Sequence, residues 1–313
     1  MPLTNTQALL LSNDAFLQGL TENEPRRIQM SHVLEFFEID GDKLTIPRVT
    51  SANLGTAIFD AGGTAVSDTP AVPTSPNPTF SLKLLISMVK TNQTAQYTMS
   101  NVNNQEKVAL AAAVRRMTYQ FWTAFNTGNE GTNPQEFNGL RQLVVAGQTV
   151  TANGGAGGVP TLAEFDQLIG KVKASDGHPT VLYTSRKGLE ALKKAHYNLN
   201  SVPSEYMDWE VPRPGGGTRT VRTLCWEGVP VIVDDSVPND EQPGGTSTSV
   251  YALALGREGL HGIVPRGTRE SMFRVSKSLV DGKAQDQQIV SWAVGLALAS
   301  EQAIARLEKV ASS

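Results

Sequence analysis

The stretch from Asn103 to Gly128, NNQEKVALAAAVRRMTYQFWTAFNTG, constrains the fold more than any other part of the sequence. Asn103 followed three residues later by Glu106 resembles a helix capping box, alanine and leucine dominate the next turns, and Gly128 predicts a left-handed stop. We therefore predict a spine helix over residues 103–127 that is about 36 Å long. Its apolar residues form two stripes, whereas a surface helix usually shows one. Both sides of the helix should therefore be covered by other parts of the chain.

A long β-hairpin is predicted directly before the helix. A D-G turn at Asp40-Gly41 precedes a β-like run, and FSLKLLISMVK, beginning at Phe80, alternates in the manner of a strand. The stretch 60–78 between them carries four prolines, so it can be neither a helix nor a central strand. An arm from Lys43 to Phe59 reaches ~55 Å, whereas a compact domain of about 125 residues is only ~40 Å across.

The hairpin should therefore project from the body and lie on another copy of the chain. A two-stranded ribbon with an apolar face is marginal alone in water, which favours such a contact. The candidate contact residues are Ile46, Val49, Ile58, Phe59, Phe80, Leu82, Leu84, Ile86 and Met88.

The remaining sequence predicts a mixed α+β region followed by a return to β structure. Thr161 and Glu164 should cap an amphipathic helix, and a strand at 180–184 and a helix from Ser185 follow. Three further strands are expected in TRTVRTLCW, GVPVIVDD and TSVYALALG. A short strand is predicted at Met272–Ser276. The alternation of large and small residues in Gln288–Ala299 predicts a long strand beside the spine helix.

Composition excludes several classes of protein. The net charge is −3 and no run of Lys or Arg exceeds two residues, which argues against tight wrapping of a nucleic acid. The single cysteine, Cys225, excludes an intramolecular disulfide and is expected to be a buried thiol. No apolar run approaches the ~18 residues of a membrane span, and the first residues do not resemble a secretory signal. We expect a soluble protein made in a cytoplasm, without a membrane partner.

Motifs for catalysis, cofactors or metals are weak. The glycine-rich GGAGG at 154–158 lacks a phosphate-binding pattern and is interpreted as a flexible linker. The pairs Asp234-Asp235 and Asp240-Glu241 stand next to prolines, where solvated charge is expected, although Asp235 could end a strand over a pocket. The histidines lack metal-ligand spacing; they are His32, His178, His196 and His261. We predict no catalytic, cofactor-binding or metal site.

The order of these parts resembles the major capsid proteins of tailed bacteriophages, whose shell fold is named for phage Hong Kong ninety-seven and is shared with encapsulins. The resemblance rests on the projecting hairpin, the spine helix, the turn Asn138-Gly139-Leu140, the mixed region with VLYTSRKGLEAL and WEGVPVIVDDSVP, and the β return. It implies an α+β fold in four parts. These are an N-terminal arm at 1–35, an extended loop at 44–98, a peripheral domain at 36–43, 99–140 and 266–313, and an axial domain at 141–265.

The resemblance also implies a structural, non-enzymatic function. Copies would assemble in a bacterial cytoplasm into hexamers and pentamers of an icosahedral virion shell around double-stranded DNA, which is enclosed without sequence-specific binding. A separate scaffolding protein, a portal and a decoration protein are possible partners. Some relatives cross-link a loop lysine, for which Lys83 and Lys90 are candidates, to a peripheral asparagine. No asparagine follows Pro265, so no covalent mesh is expected. The alternatives are an encapsulin-type compartment or, less favoured, a soluble α+β enzyme using the Asp234-Asp235 loop.

Overall fold

A computed structural model describes residues 28–48, 77–93, 105–173, 177–198, 206–212, 218–242, 247–268, 273–279 and 285–312. In these ranges the α-helices are α1 (Gln105–Thr127), α2 (Leu140–Leu143), α3 (Leu162–Lys171) and α4 (Arg186–Asn198). Short 3-10 turns lie at Met30–His32, Ala146–Gln148, Asn153–Gly155 and Glu301–Ala303. The strands are β1 (Phe36–Ile39), β2 (Lys43–Thr45), β3 (Thr79–Ser81), β4 (Lys83–Asn92), β5 (Thr149–Thr151), β6 (Val181–Thr184), β7 (Tyr206–Pro212), β8 (Thr218–Trp226), β9 (Val229–Val233), β10 (Ser247–Leu253), β11 (Leu260–Pro265), β12 (Arg274–Leu279), β13 (Gln285–Leu298) and β14 (Ile304–Ala311).

A five-stranded sheet packs against the spine helix. Its order is β1-β11-β13-β12, and β4 pairs with the long strand β13. Helix α1 lies on β4 and β13, with Met117, Phe121 and Phe125 buried along it. The predicted helix and the predicted C-terminal strand beside it are both confirmed, although residues 103 and 104, including the expected cap, fall outside the described ranges.

The end of the spine helix differs from the sequence-based expectation. Gly128 does not adopt a left-handed conformation. A Cβ at Gly128 would instead lie 2.4 Å from the carbonyl oxygen of Phe137 and 2.5 Å from that of Ala124. The glycine is needed because two backbone segments meet there, and the amide of Gly139 donates to the carbonyl of Gly128 at 2.9 Å.

A seven-stranded sheet forms the second half of the fold. Its order is β5-β14-β10-β6-β9-β8-β7, and helices α3 and α4 pack against it. The capping box of α3 is confirmed, because Thr161 accepts from the amide of Glu164 while the Glu164 carboxylate accepts from the amide of Thr161. The predicted strand–turn–strand around Trp226 to Gly228 is also present, and Cys225 is a buried thiol outside any disulfide.

The division between the two sheets departs from the predicted domain boundaries. Residues 260–265 were expected in the axial part, but β11 pairs with β1 and β13 in the five-stranded sheet. Residues 304–311 were expected in the peripheral part, but β14 pairs with β10 and β5 in the seven-stranded sheet. The strand predicted at 272–276 occupies 274–279. The chain therefore crosses between the two sheets at both β11 and β14.

The two halves share one hydrophobic core. Phe125 of α1 lies 5.9 Å from Tyr183 of β6, ring centroid to centroid, in an edge-to-face arrangement. The fully buried Asn126 donates through Nδ2 to the hydroxyl oxygens of Tyr183 and Ser236, at 3.2 and 3.0 Å. The C-terminal end of the spine helix is thus joined to the seven-stranded sheet by both apolar and polar contacts.

The glycine-rich segment at 154–158 is not a free linker. Its first turn is a 3-10 turn, and the amides of Asn153 and Gly154 donate to the carboxylate of Glu164 at 3.2 and 2.9 Å. Because these backbone donors are already directed at a carboxylate of the same chain, the loop is part of the α3 cap and does not cradle a phosphate.

Candidate assembly surface

An exposed apolar row runs along β4. Leu84, Ile86 and Met88 are 59%, 60% and 50% exposed. Successive side chains of a strand point to opposite faces, and the intervening Leu85 and Ser87 face the spine helix, where Arg116 donates to the Ser87 hydroxyl at 3.0 Å. The apolar row therefore points away from the body of the protein.

The strand register extends this row across three strands. Ile86 is opposite Ser291 of β13, and Ser291 is opposite Arg274 of β12. Met88 is likewise opposite Ile289, which is opposite Ser276. Paired residues lie on the same face of a sheet. We call this surface the outer face; it comprises Leu84, Ile86, Met88, Ile289, Ser291 and Ala293, with Arg274, Ser276 and Lys90 at its margins.

The opposite side of these three strands is tied to the spine helix by polar contacts. Lys277 of β12 contacts Glu106 of α1 at 2.9 Å and Asp286 of β13 at 3.2 Å. The hydrogen bond to Glu106, followed by the one to Asp286, raises the pKa of Lys277 above its ordinary value. Gln93 donates to Asp286 at 2.8 Å, and this bond is the main cause that lowers the pKa of Asp286. The outer face therefore belongs to a sheet whose opposite side is bonded to the spine helix.

The base of the predicted extended loop packs on the body. Strands β2 and β3 form a two-stranded ribbon in which Leu44 is opposite Phe80. Residues of this ribbon contact a small buried cluster of Ile39, Ile263 and Ala297. Gly295 makes room for the ribbon, since a Cβ there would lie 2.8 Å from the carbonyl oxygen of Ser81.

The nine predicted contact residues consequently fall into three groups. Leu84, Ile86 and Met88 lie on the outer face. Ile46, Phe80 and Leu82 pack against the body of their own chain. Val49, Ile58 and Phe59 lie outside the described residues. The period-two alternation placed Phe80 and Leu82 on the same face as Leu84, but the strand is interrupted at Leu82, between β3 and β4.

Two polar anchors lie on either side of the segment 49–76, which belongs to the predicted extended loop. Arg48 donates through Nε to the carbonyl of Ala299 at 2.9 Å and through Nη2 to that of Leu298 at 2.7 Å, and Nη1 pairs with Glu301 at 2.8 Å. Burial lowers the pKa of Arg48, while Glu301 acts in the opposite direction. No sequence pattern pointed to Arg48, because its acceptors are about 250 residues away in the chain.

The second anchor is Lys83, a candidate cross-linking lysine. Its ammonium pairs with Glu130 at 2.6 Å and donates to the carbonyl of Pro134 at 2.8 Å. A cavity of about 260 Å³ lies next to both anchors, and its lining includes Arg48, Glu130 and Glu301. Lys90, the other candidate lysine, lies on the outer face opposite Gln287.

The residues considered for catalysis do not converge on a site. Asp234 is fully buried and accepts from the amide and hydroxyl of Ser236 at 2.8 and 2.6 Å, and burial raises its pKa. Asp240 pairs with Arg141 at 2.6 Å, and that hydrogen bond is the main cause that lowers its pKa. Glu241 is not a solvated charge as expected, since it is buried in an ion pair with Arg306.

The described residues contain neither a metal-ligand cluster nor a membrane-spanning helix. His261 is buried beside the carbonyl of Gly256, and burial lowers its pKa. Within the described ranges, no three His, Cys, Asp or Glu side chains are grouped to hold a metal ion. None of the helices in the same ranges is long and apolar enough to cross a membrane.

Comparison with known proteins agrees with this architecture. The family model of the SU10 major capsid protein matches residues 62–212. The SrpI encapsulin from Synechococcus elongatus PCC 7942 is similar in structure with a TM-score of 0.69 and 19% identity, over 100% of this chain and 98% of that one. The capsid of a native GTA particle gives a TM-score of 0.60 with 14% identity, over 97% and 99% of the two chains. The chain solved for Microbacterium phage Oxtober96 gives a TM-score of 0.59 with 11% identity, over 99% of both chains. No curated protein sequence matches significantly.

The structural similarities extend over nearly the whole length of both chains in each comparison, so the fold as a whole is shared. The family match covers residues 62–98 of the predicted extended loop, the spine helix and three of the seven strands of the second sheet, β5, β6 and β7. The chain therefore has the α+β shell fold of tailed-phage major capsid proteins and encapsulins, and its residues 62–212 match the model of a major capsid protein family.

Proposed function

We propose that copies of this chain assemble into hexamers and pentamers of a closed icosahedral shell that encloses double-stranded DNA, and that the outer face is a contact between copies. The observation that supports this most is the apolar row of Leu84, Ile86 and Met88, each at least half exposed on one face of an ordered strand. Rows of this kind are uncommon on monomeric proteins and mark interaction surfaces.

The energetics favour assembly through many modest contacts. Covering a Leu, Ile or Met side chain contributes about 1.5–3 kcal/mol if it was fully exposed, and these three are exposed by half or somewhat more. One such patch is small compared with a stable interface of about 1,600 Å². Repetition around a closed shell multiplies weak contacts, because each added subunit binds several neighbours at once.

The charge of the chain suits enclosure of nucleic acid without tight binding. With a net charge of −3 the chain lacks the basic excess that drives sequence-independent binding to phosphates. DNA inside the shell is then confined by the closed wall. A packaging portal, a scaffolding protein and a decoration protein fit this function as further partners. The protein would act in the virion after assembly in the bacterial cytoplasm, and it would not be an enzyme.

An encapsulin-type compartment is the second candidate. It is favoured by the similarity to the SrpI encapsulin, which has a TM-score of 0.69. The match to a major capsid protein family favours the viral shell instead. The two differ in their contents, because a capsid holds DNA whereas a compartment holds protein cargo.

Electron microscopy of the purified protein, combined with analysis of nuclease-protected contents, tests the proposal. We expect closed particles, and from phage-infected cells we expect nuclease-protected double-stranded DNA inside them. Particles with protein cargo and no DNA would support the compartment, and a small oligomer at all concentrations would contradict a shell. Subunits that run as monomers in a boiled denaturing gel would agree with the absence of a covalent mesh.

A further inference from the structure

The two anchors of the extended loop suggest a function beyond holding the fold together. Arg48 is the last described residue before the segment 49–76, and Asn77 is the first after it. The amide of Arg48 faces the Asn77 side chain at 3.4 Å, and the amide of Ile46 donates to the carbonyl of Pro78 at 3.1 Å. The segment therefore leaves and re-enters the body at one point.

Apolar packing alone would not fix the direction of the ribbon at this point. Leu44, Ile46, Phe80 and Leu82 contact the body, but hydrophobic contacts are not directional. A cavity of about 260 Å³ adjoins the ribbon, so one side of its base lacks packed neighbours. Hydrogen bonds weaken steeply when their geometry is distorted, and they therefore resist tilting.

Arg48 is well suited to resist such a tilt. Its planar guanidinium engages three acceptors at the end of β13 and in the turn after it, the carbonyls of Leu298 and Ala299 and the carboxylate of Glu301. Lys83 fixes the other side of the base to the turn after the spine helix, through Glu130 and the carbonyl of Pro134. One side of the ribbon's base is thus tied to the end of β13, and the other side is tied to the turn that follows α1.

We propose that Arg48 and Lys83 are positioning residues for assembly, which set the angle at which the extended loop leaves the subunit and thereby the geometry of the shell. This inference rests on the proposed assembly function. From Arg48 to Phe59 the predicted arm is about 36 Å long, so a tilt of ~5° at the base would move its far end by roughly 3 Å. Since a shell of hexamers and pentamers closes at one size only if the contacts keep to a narrow set of angles, such an error would spread the particle sizes.

The test compares Arg48→Lys with Arg186→Lys. Lysine keeps the charge at position 48 but lacks the fork that reaches three acceptors. Arg186 makes an exposed ion pair with Glu190 within α4, so it is a control for the same chemical change away from the loop. Thermal unfolding of unassembled subunits and the diameters of assembled particles are measured for both variants, for Lys83→Met and for wild type.

We expect R48K and K83M to lose the single size class of wild-type particles, giving a broad range of diameters or open shells, while R186K keeps it. The melting temperature of unassembled R48K subunits should stay close to that of R186K. Unchanged diameters would overturn the inference, as would a loss of assembly that merely follows a loss of subunit stability.

If R48K does not fold, Glu301→Gln replaces it, because this variant keeps the two bonds from Arg48 to carbonyls and removes only the charged acceptor. E301Q should broaden the sizes, and unchanged sizes would again contradict the inference. Absence of wild-type particles would contradict the proposed function instead.

Discussion

The indole of Trp292 on β13 lies against the ring of Phe121 on the spine helix, with ring centroids 4.7 Å apart and planes inclined by 46°. Phe36 of β1 and Phe273 also approach the indole, at 6.2 and 5.1 Å. This aromatic cluster joins α1, β1 and β13 into one packed unit. It holds the five-stranded sheet in a fixed position on α1, and the outer face lies on the other side of that sheet.

Replacing Trp292 should destabilise the subunit strongly. We expect Trp292→Ala to lower the free energy of unfolding by about 3–5 kcal/mol, because a large cavity opens between helix and sheet. Trp292→Phe should cost much less, since the buried indole nitrogen has no hydrogen-bond partner among the described residues. Denaturant unfolding of unassembled subunits measures both. Tyr197→Ala, at a side chain that is 57% exposed, is the control and should change stability by less than about 0.5 kcal/mol. Equal losses for W292A and Y197A would contradict the account.

Gly139 should not tolerate a side chain. Its backbone angles are ordinary for any residue, with φ −83° and ψ −179°, but a Cβ would lie 2.3 Å from the carbonyl oxygen of Ala124. We expect Gly139→Ala to cost at least ~1–3 kcal/mol, as overpacking against backbone does. Gly170→Ala is the matched control, because it lies on the exposed side of α3 with nothing near its Cβ position. That change should stabilise the subunit by about 0.5–1 kcal/mol. The same denaturant series measures both, and a tolerated G139A would show that the backbone contact is not tight.

Glu164 should make stability depend on pH in the acid range. Burial acts to raise its pKa, but hydrogen bonds from the amides of Gly154, Thr161 and Asn153 outweigh burial and lower it below the ordinary value of 4.5. Its contribution is therefore complete above about pH 4.5 and is lost as the pH falls through the lower folded-state pKa. Glu164→Gln should lower the free energy of unfolding by about 1–3 kcal/mol at pH 7 and by less at pH 3. Glu190→Gln, in an exposed ion pair, is the control. A pH-independent loss in E164Q would contradict this role of the carboxylate.

Asp234 should make stability depend on pH in the direction opposite to Glu164. Burial raises its pKa above 3.8, although hydrogen bonds from Ser236 and from the amide of Met30 lower it in part. Tyr183 and Asp235 are the titratable groups that interact with it. Because the folded-state pKa of Asp234 is raised, the stabilising effect of this carboxyl group is present at low pH and is lost as the pH rises through that pKa. Asp234→Asn keeps an acceptor for Ser236 and should therefore gain stability relative to wild type as the pH is raised from 3.5 to 7. Asp42→Asn, at an exposed position in the turn before β2, is the control, and a stability difference between D234N and wild type that shrinks with rising pH would refute the assignment.

Local signals in the sequence were enough to predict the main elements. The alanine-rich run gave α1, the Thr161–Glu164 spacing gave the α3 cap, and the period-two pattern gave β13, because each of these depends on neighbours a few residues apart. The apolar row of Leu84, Ile86 and Met88 was identified for the same reason.

Long-range features could not be predicted in this way. The pairing of β11 with the five-stranded sheet and of β14 with the seven-stranded sheet was not predicted, because strand pairing depends on distant partners, which the local pattern does not encode. Ile46, Phe80 and Leu82 have the same pattern as Leu84 but cover a small core of their own chain. Arg48 carries no local signal, since its acceptors lie at the other end of the sequence.

Sedimentation velocity of Ile86→Asp over a range of concentrations tests the central claim most directly, because Ile86 lies in the middle of the outer face and is 60% exposed. An aspartate there should leave the thermal unfolding of the subunit nearly unchanged, since the side chain faces solvent in the single chain. Tyr197→Asp, on an exposed part of α4, is the matched control. We predict that I86D remains a subunit or small oligomer at concentrations where wild type and Y197D form large particles. Particles of I86D that form at the wild-type concentration and have the wild-type size would contradict the claim that the outer face joins subunits.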